Sequence, residues 1–191
     1  MKLHNIYYLM RHGQTAYQAE KKHLLYPNFK GTPVFLSKKG IKQVEASANK
    51  LKKEKIDFIY ASDFHRTTQT AKIIAKKFKN LKINFDKRLR DTDFGFWHGK
   101  RKEDFFVGFP LLSRKLFYKR PKGGEKWPDC KKRMKSFFKE IEKKYKNKTI
   151  LIVSHGDPLW LLEGYIKGYS VDYLADHKKK LFLKTGSFKK L

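Results

Sequence analysis

Apolar residues fall into two alternating kinds of segment along the chain. Short apolar runs occupy residues 3–10, 57–61, 82–85 and 149–154. Each has the length of a strand, and 149–154 has the β-branched, apolar composition of a strand buried in a parallel sheet. Between the runs, apolar positions recur at helical spacing. Ser37 can cap a helix that carries Ile41, Val44, Ala48 and Leu51 on one face, with Lys42, Lys50, Lys52 and Lys53 mostly elsewhere. Thr67, Ala71, Ile74, Ala75 and Phe78 mark a second helix, and Met134, Phe137, Phe138, Ile141 and Tyr145 a third. A further helix is expected from Pro158 through Tyr165, and the tail 181–191 is read as an edge strand. Strands alternating with helices predict an α/β fold, a three-layer sandwich with a mostly parallel central sheet and helices on both faces. The 191 residues suit a single domain, 1–191, with no internal repeat or linker.

Composition narrows the picture. The 40% hydrophobic content is that of a folding chain, and no apolar run approaches the roughly 20 residues needed to cross a bilayer. The apolar start at 3–10 carries no basic leader and no small-residue cleavage site, so a cytoplasmic protein without a membrane partner is expected. Cys130 is the only cysteine, which excludes an intrachain disulfide and a thiolate zinc cluster. His4, His23, His65, His98 and His177 show no metal-ligand spacing on a helix face, so no metal and no organic cofactor is expected. The net charge of +28, from 46 Lys+Arg against 18 Asp+Glu, is extreme. Its lysine doublets are scattered over predicted helix surfaces, a solvated-face pattern, and nucleic acid is expected as a non-specific electrostatic partner at most. Nothing in the sequence fixes an oligomeric state.

Three motifs change the picture most, because each follows a predicted strand: Arg11-His12-Gly13, Ser62-Asp63-Phe64-His65-Arg66 and Ser154-His155-Gly156. Ligands of open α/β sheets bind at the carboxyl ends of the strands, so two histidines and two arginines are expected to converge there. The glycines after each histidine allow backbone N–H groups to approach a ligand. Phosphoryl transfer needs an in-line nucleophile, positive groups on the equatorial oxygens and an acid for the leaving group. A neutral imidazole can attack phosphorus through one ring nitrogen while the other holds the tautomer, and Arg11 and Arg66 suit phosphate oxygens. Taken alone, His12 would more often be a packing or capping residue.

Taken together, the motifs resemble the histidine phosphatase superfamily, the phosphoglycerate-mutase-like proteins. The resemblance runs through Arg11-His12-Gly13-Gln14-Thr15, then Ser62-Asp63 with Arg66, Gln69, Thr70 and Ala71, then Leu89-Arg90-Asp91 with Gly95, Trp97 and Gly99. It continues through Gly123-Gly124-Glu125 with Trp127 and Arg133 and closes on Val153-Ser154-His155-Gly156. It implies that His12 is phosphorylated, that Arg11, Arg66 and His155 bind the transferred phosphoryl group, and that Asp91 is the proton donor and later the base. Gln14, Thr15, Gln18 and Gly156 are the further phosphate-binding candidates.

The departures carry information too. The family's usual acid is glutamate, one methylene longer than Asp91, and Asp93 stands two positions on as a competitor. Gln18 stands where asparagine is frequent, and residues 31–37 replace an aspartate-containing turn. Glu125 is read as a rim contact or a helix-start residue, and His98 as a residue of the mouth. The expected function is hydrolysis of small anionic phosphomonoesters through a phosphohistidine. The alternatives are a cofactor-dependent phosphoglycerate mutase, which the short region 105–122 disfavours, and a non-catalytic, basic polyanion-binding module.

Overall fold

The computed structural model describes residues 1–27, 33–79, 81–110 and 114–191. Among them the strands are β1 (Ile6–Arg11), β2 (Phe58–Ala61), β3 (Ile83–Phe85), β4 (Thr149–Ser154) and β5 (Phe188–Lys190). The helices are α1 (Ala16–Glu20), α2 (Lys38–Leu51), α3 (His65–Ala75), α4 (Lys102–Gly108), α5 (Lys115–Tyr118), α6 (Trp127–Lys144), α7 (Gly156–Lys167), α8 (Val171–Asp176) and α9 (Lys178–Leu181). The sheet order is β3-β2-β4-β1-β5, parallel except for β5, which runs antiparallel along β1.

Because successive strand residues point to opposite faces, each central strand feeds two cores. Tyr7 and Leu9 of β1, Tyr60 of β2, and Ile150 and Ile152 of β4 pack with Met134, Phe137, Phe138 and Ile141 of α6 and with Leu159 of α7. Tyr8, Met10, Ile59, Ala61, Leu151 and Val153 turn the other way, onto Val44, Ala48 and Leu51 of α2 and Ala71 and Ile74 of α3. This is the three-layer α/β sandwich that the alternation of patterns predicts.

The differences lie at element ends and in short helices. β1 starts at Ile6, not residue 3, because Asn5 is held by its side chain: Nδ2 donates to Glu142 Oε2 (2.9 Å) and Tyr145 O (2.8 Å), and Oδ1 accepts from Lys148 N (3.0 Å). α3 ends at Ala75, and Phe78 lies beyond it in a tighter turn while still packing on the core. The helix expected from Pro158 begins at Gly156, directly after His155. α1, α4, α5, α8 and α9 were not foreseen, since helices of four to seven residues are too short to show an apolar stripe. α1 is fixed instead by a reciprocal cap in which Gln18 N donates to Thr15 Oγ1 (3.0 Å) and Thr15 N to Gln18 Oε1 (3.2 Å).

The loop after β1 is seated on the start of α2. Ser37 N donates to Gln14 O (2.9 Å), and a Cβ placed on Gly40 would lie 1.9 Å from that same carbonyl oxygen. In an open helix Gly→Ala is favourable by about 1 kcal/mol. Here the colliding atom is backbone that cannot rotate away. Gly40→Ala should therefore lower the unfolding free energy by about 1–3 kcal/mol in a urea titration. A gain in stability would show that the loop and helix do not approach this closely.

Candidate active site

Strand pairing brings the three motifs to one edge of the sheet. β1 and β4 run in register with Arg11 opposite Ser154, and His12 N donates to Ser154 O (3.1 Å), one step past the end of β1. The imidazoles of His12 and His155 consequently lie side by side, with ring centroids 5.2 Å apart. On the other flank of β4, Ser62 N donates to Val153 O (3.0 Å), which brings the start of α3 against His155. The amino ends of α3 and α7 both open at this edge, where helix dipoles favour negative charge.

His12 is 1% exposed. Its Nδ1 lies 2.8 Å from Gly13 O, and since a carbonyl only accepts, Nδ1 carries the proton and Nε2 the lone pair. Burial, with Arg66 and Arg11 nearby, pushes its pKa well below the usual histidine value. His155 is fully buried and depressed in the same direction, first by burial and then by Arg66. Arg66 Nε donates to His155 Nδ1 (3.2 Å), so His155 Nε2 carries the proton and donates to Ser62 Oγ (3.0 Å). Both rings are therefore held neutral with assigned tautomers.

Arg66 is the hub. Besides His155, its Nη2 donates to Asp91 Oδ2 (2.9 Å), and its guanidinium lies 4.2 Å from the Tyr26 ring centroid. Asp91 is drawn two ways: burial raises its pKa and the arginine lowers it, with burial the stronger. Arg11 sits under Phe182, 5.0 Å from its ring centroid, and donates through Nη1 to Leu183 O (3.0 Å). Its Nε is buried and has no partner among the described residues, a costly state for a charged donor unless an anion completes it. A crevice of about 190 Å³ opens here, lined by Arg11, Gln18, Tyr26, Asp91, Gly156 and Phe182. Its size and donors suit a tetrahedral oxyanion. No group of three or more His, Cys, Asp or Glu among the described residues is arranged to hold a metal.

The remaining candidates are placed unequally. Thr15 is fully buried, its Oγ1 shared between the α1 cap and the Tyr26 hydroxyl (3.1 Å), while the Gln14 side-chain oxygen accepts from Ser37 Oγ (3.2 Å). Asp93 is turned away: 39% exposed, it accepts from Gly95 N (2.8 Å) and meets His98 Nε2 at 2.8 Å. His98 is 7% exposed and lies with Arg66 and Asp91 along a second small recess. His65 stacks edge-on with Phe35, and His177 lies flat on Tyr173. The altered turn at 31–37 falls partly outside the described residues, as does part of 105–122.

Tyr26 and the partners of Arg133 escaped the sequence reading. Arg133 donates twice to Glu125 (3.1 and 2.6 Å) and caps the carbonyls of Arg88 (2.6 Å), Arg90 (2.6 Å) and Asp91 (2.9 Å). Glu125 also accepts from Asp93 N (3.1 Å), so it is neither rim nor helix start but half of a clamp on the segment that presents Asp91. Removing Arg133 strands a carboxylate and three carbonyls. Arg133→Ala should cost about 2–4 kcal/mol in chemical denaturation, where a cost under about 0.5 kcal/mol would exclude the clamp.

The neutral histidines give a pH signature of defined sign. Below about pH 6.5 the unfolded chain binds protons that folded His12 and His155 refuse, so stability falls as pH drops. Tm should decline from about pH 7.5 to about 5, and less steeply in His12→Asn. Equal slopes would contradict the buried neutral imidazole.

The pattern of the histidine phosphatase superfamily (branch 1) matches residues 7–181. Phosphoserine phosphatase 1 of Hydrogenobacter thermophilus is 32% identical over 157 residues, covering 79% of this chain and 71% of that protein. Phosphoglycerate mutase-like protein 4 of Arabidopsis thaliana is 31% identical over 159 residues, covering 78% of this chain and 65% of that protein. In fold, a mycobacterial glucosyl-3-phosphoglycerate phosphatase superposes with a TM-score of 0.81 at 23% identity, over 97% of this chain and 88% of that one. On the strength of the match over residues 7–181 and these relatives, the chain belongs to the histidine phosphatase superfamily.

Proposed function

We propose that the chain is a single-domain phosphomonoester hydrolase that acts through a covalent phosphohistidine on His12. The observation that carries this reading is the state of His12: buried, neutral, with its lone pair on Nε2 and with Arg11 and Arg66 beside it. A small anionic phosphomonoester enters the crevice, and its phosphoryl oxygens take the guanidinium of Arg11 on its wall and that of Arg66 from the recess beside it, which shares Tyr26 and Asp91 with the crevice. Gln18 and Gly156 line the same crevice, and Gln14 and Thr15 act by shaping the loop that holds His12.

His12 Nε2 attacks phosphorus, the P–O bond to the alcohol breaks, and Asp91 gives its proton to the departing oxygen. The Asp91 carboxylate then takes a proton from water, the hydroxide displaces His12, and inorganic phosphate leaves. Arg66 couples binding to protonation. Its ion pair with Asp91 (2.9 Å) favours the carboxylate, and a dianionic substrate that draws the guanidinium away leaves the carboxyl to the effect of burial, which favours the acid. The Arg133 clamp holds the Asp91 carbonyl, which fixes where the short side chain begins. His155 supports Arg66 through Nδ1.

Relatives named for phosphatase activity support the reaction class, among them the phosphoserine phosphatase described above and an alpha-ribazole phosphatase of Shigella flexneri with the same fold. The mutase alternative is not favoured. His12→Ala should lower kcat by at least about 10⁴-fold while the fold persists. Asp91→Asn should lower kcat/KM, which reports only the steps through release of the alcohol, by about 10²–10⁴-fold for alkyl phosphates and much less for p-nitrophenyl phosphate, whose leaving group departs without a proton. Full turnover in His12→Ala would overturn the mechanism, and an equal loss on both ester types would remove Asp91 as the acid.

A further inference from the structure

A second, wider cleft of about 460 Å³ opens beside the crevice and shares Arg11, Leu25, Phe94, Asp157 and Phe182 with it. Its wall is made, among the described residues, chiefly of Phe94, Phe105, Phe106, Phe109, Leu116 and Trp127. The wall is braced by its own rings and by one behind it: Phe105 stacks on Phe109 at 5.0 Å, Phe94 meets Phe105 edge-on at 5.1 Å, and Phe117 meets Trp127 at 4.9 Å.

The polar groups beside Trp127 are already engaged with one another. Trp127 Nε1 donates to Asp157 Oδ2 (3.2 Å), and Lys178 pairs with Asp157 Oδ1 (3.1 Å) while lying 4.1 Å from the Trp127 ring centroid. Such a wall offers little hydrogen bonding to a small hydroxylated alcohol and much apolar surface to a large one. The volume falls within the range of about 300–1,000 Å³ usual for small-molecule sites. Lys179 and Lys184 at the rim keep the field positive toward an incoming anionic ester.

We propose that this cleft receives the alcohol half of the substrate, and that the preferred substrates are phosphomonoesters of bulky apolar alcohols, those bearing an aromatic ring above all. The proposal rests on the phosphatase reading for its orientation, with the phosphoryl group at Arg11 and the leaving group beyond Phe182. It also goes beyond that reading, which requires only a phosphomonoester. The continuity through Arg11 is what ties the cleft to the reaction.

The test compares 3-phenylpropyl phosphate with propyl phosphate, whose alcohols have nearly the same acidity, so that a difference reports binding of the ring and not bond breaking. The phenylpropyl ester should show a kcat/KM at least about 10-fold higher. Phe106→Ser alters the wall at a half-buried position outside the lining of the phosphoryl crevice. It should reduce the preference to about 3-fold or less by lowering kcat/KM for the phenylpropyl ester, and a native-like circular dichroism spectrum certifies the variant's fold. Competition by 3-phenylpropylphosphonate against propylphosphonate, followed by calorimetry, gives a readout independent of turnover. Equal kcat/KM for the two esters, or a preference untouched by Phe106→Ser, would overturn the proposal. Tight, ring-dependent phosphonate binding without turnover of either ester would instead contradict the phosphatase reading and leave the cleft's specificity standing.

Discussion

The parallel pairing of β1 with β4 is the constraint on which the site depends. The register that sets Arg11 opposite Ser154 continues into the hydrogen bond from His12 N to Ser154 O, so two histidines 143 positions apart in the chain emerge from neighbouring strand ends. A slip of one residue in that register would turn every side chain of β1 to the opposite core and separate the imidazoles. The register is secured by alternation: Tyr7 and Leu9 belong to the α6–α7 core, and Tyr8 and Met10 to the α2–α3 core. The edge that carries the candidate site is thus specified by apolar residues that lie outside it.

Around that edge, charge is arranged so that burial and cations act together. Burial alone would depress both histidines, and the guanidiniums of Arg11 and Arg66 push in the same direction, leaving neutral rings whose protons are committed to Gly13 O and Ser62 Oγ. For Asp91 the two influences oppose, which leaves its protonation responsive to where Arg66 points. An anion that engages Arg66 therefore acts on Asp91 as well. Arg133, held by Glu125, fixes the backbone of the same segment from behind.

Much of the fold was legible because its long elements leave periodic traces. The stripes through Val44, Ala48 and Leu51, and through Met134, Phe137, Phe138 and Ile141, lie against the sheet as their spacing requires. The motif residues His12, Arg66 and His155 could be read because each follows a strand. Tyr26 could not: it stands in an irregular segment, and its place under Arg66 arises only when distant loops meet. The Glu125–Arg133 clamp was hidden for a related reason, since its targets are backbone carbonyls some 42 to 45 residues away, which have no signature in side-chain pattern. Asp91 and Asp93 looked interchangeable in sequence. Their separation follows from the backbone between them, which sends one carboxylate to Arg66 and the other to His98.

The central claim is that His12 carries the phosphoryl group between two half-reactions, and it is met most directly by trapping that state. Enzyme mixed with a labelled phosphomonoester and quenched in alkali within the first turnover should carry acid-labile phosphate on the peptide containing His12, approaching one per chain if hydrolysis of the intermediate is the slower step. A burst of alcohol unmatched by free phosphate with no label on His12, or label on a different residue, would contradict the account.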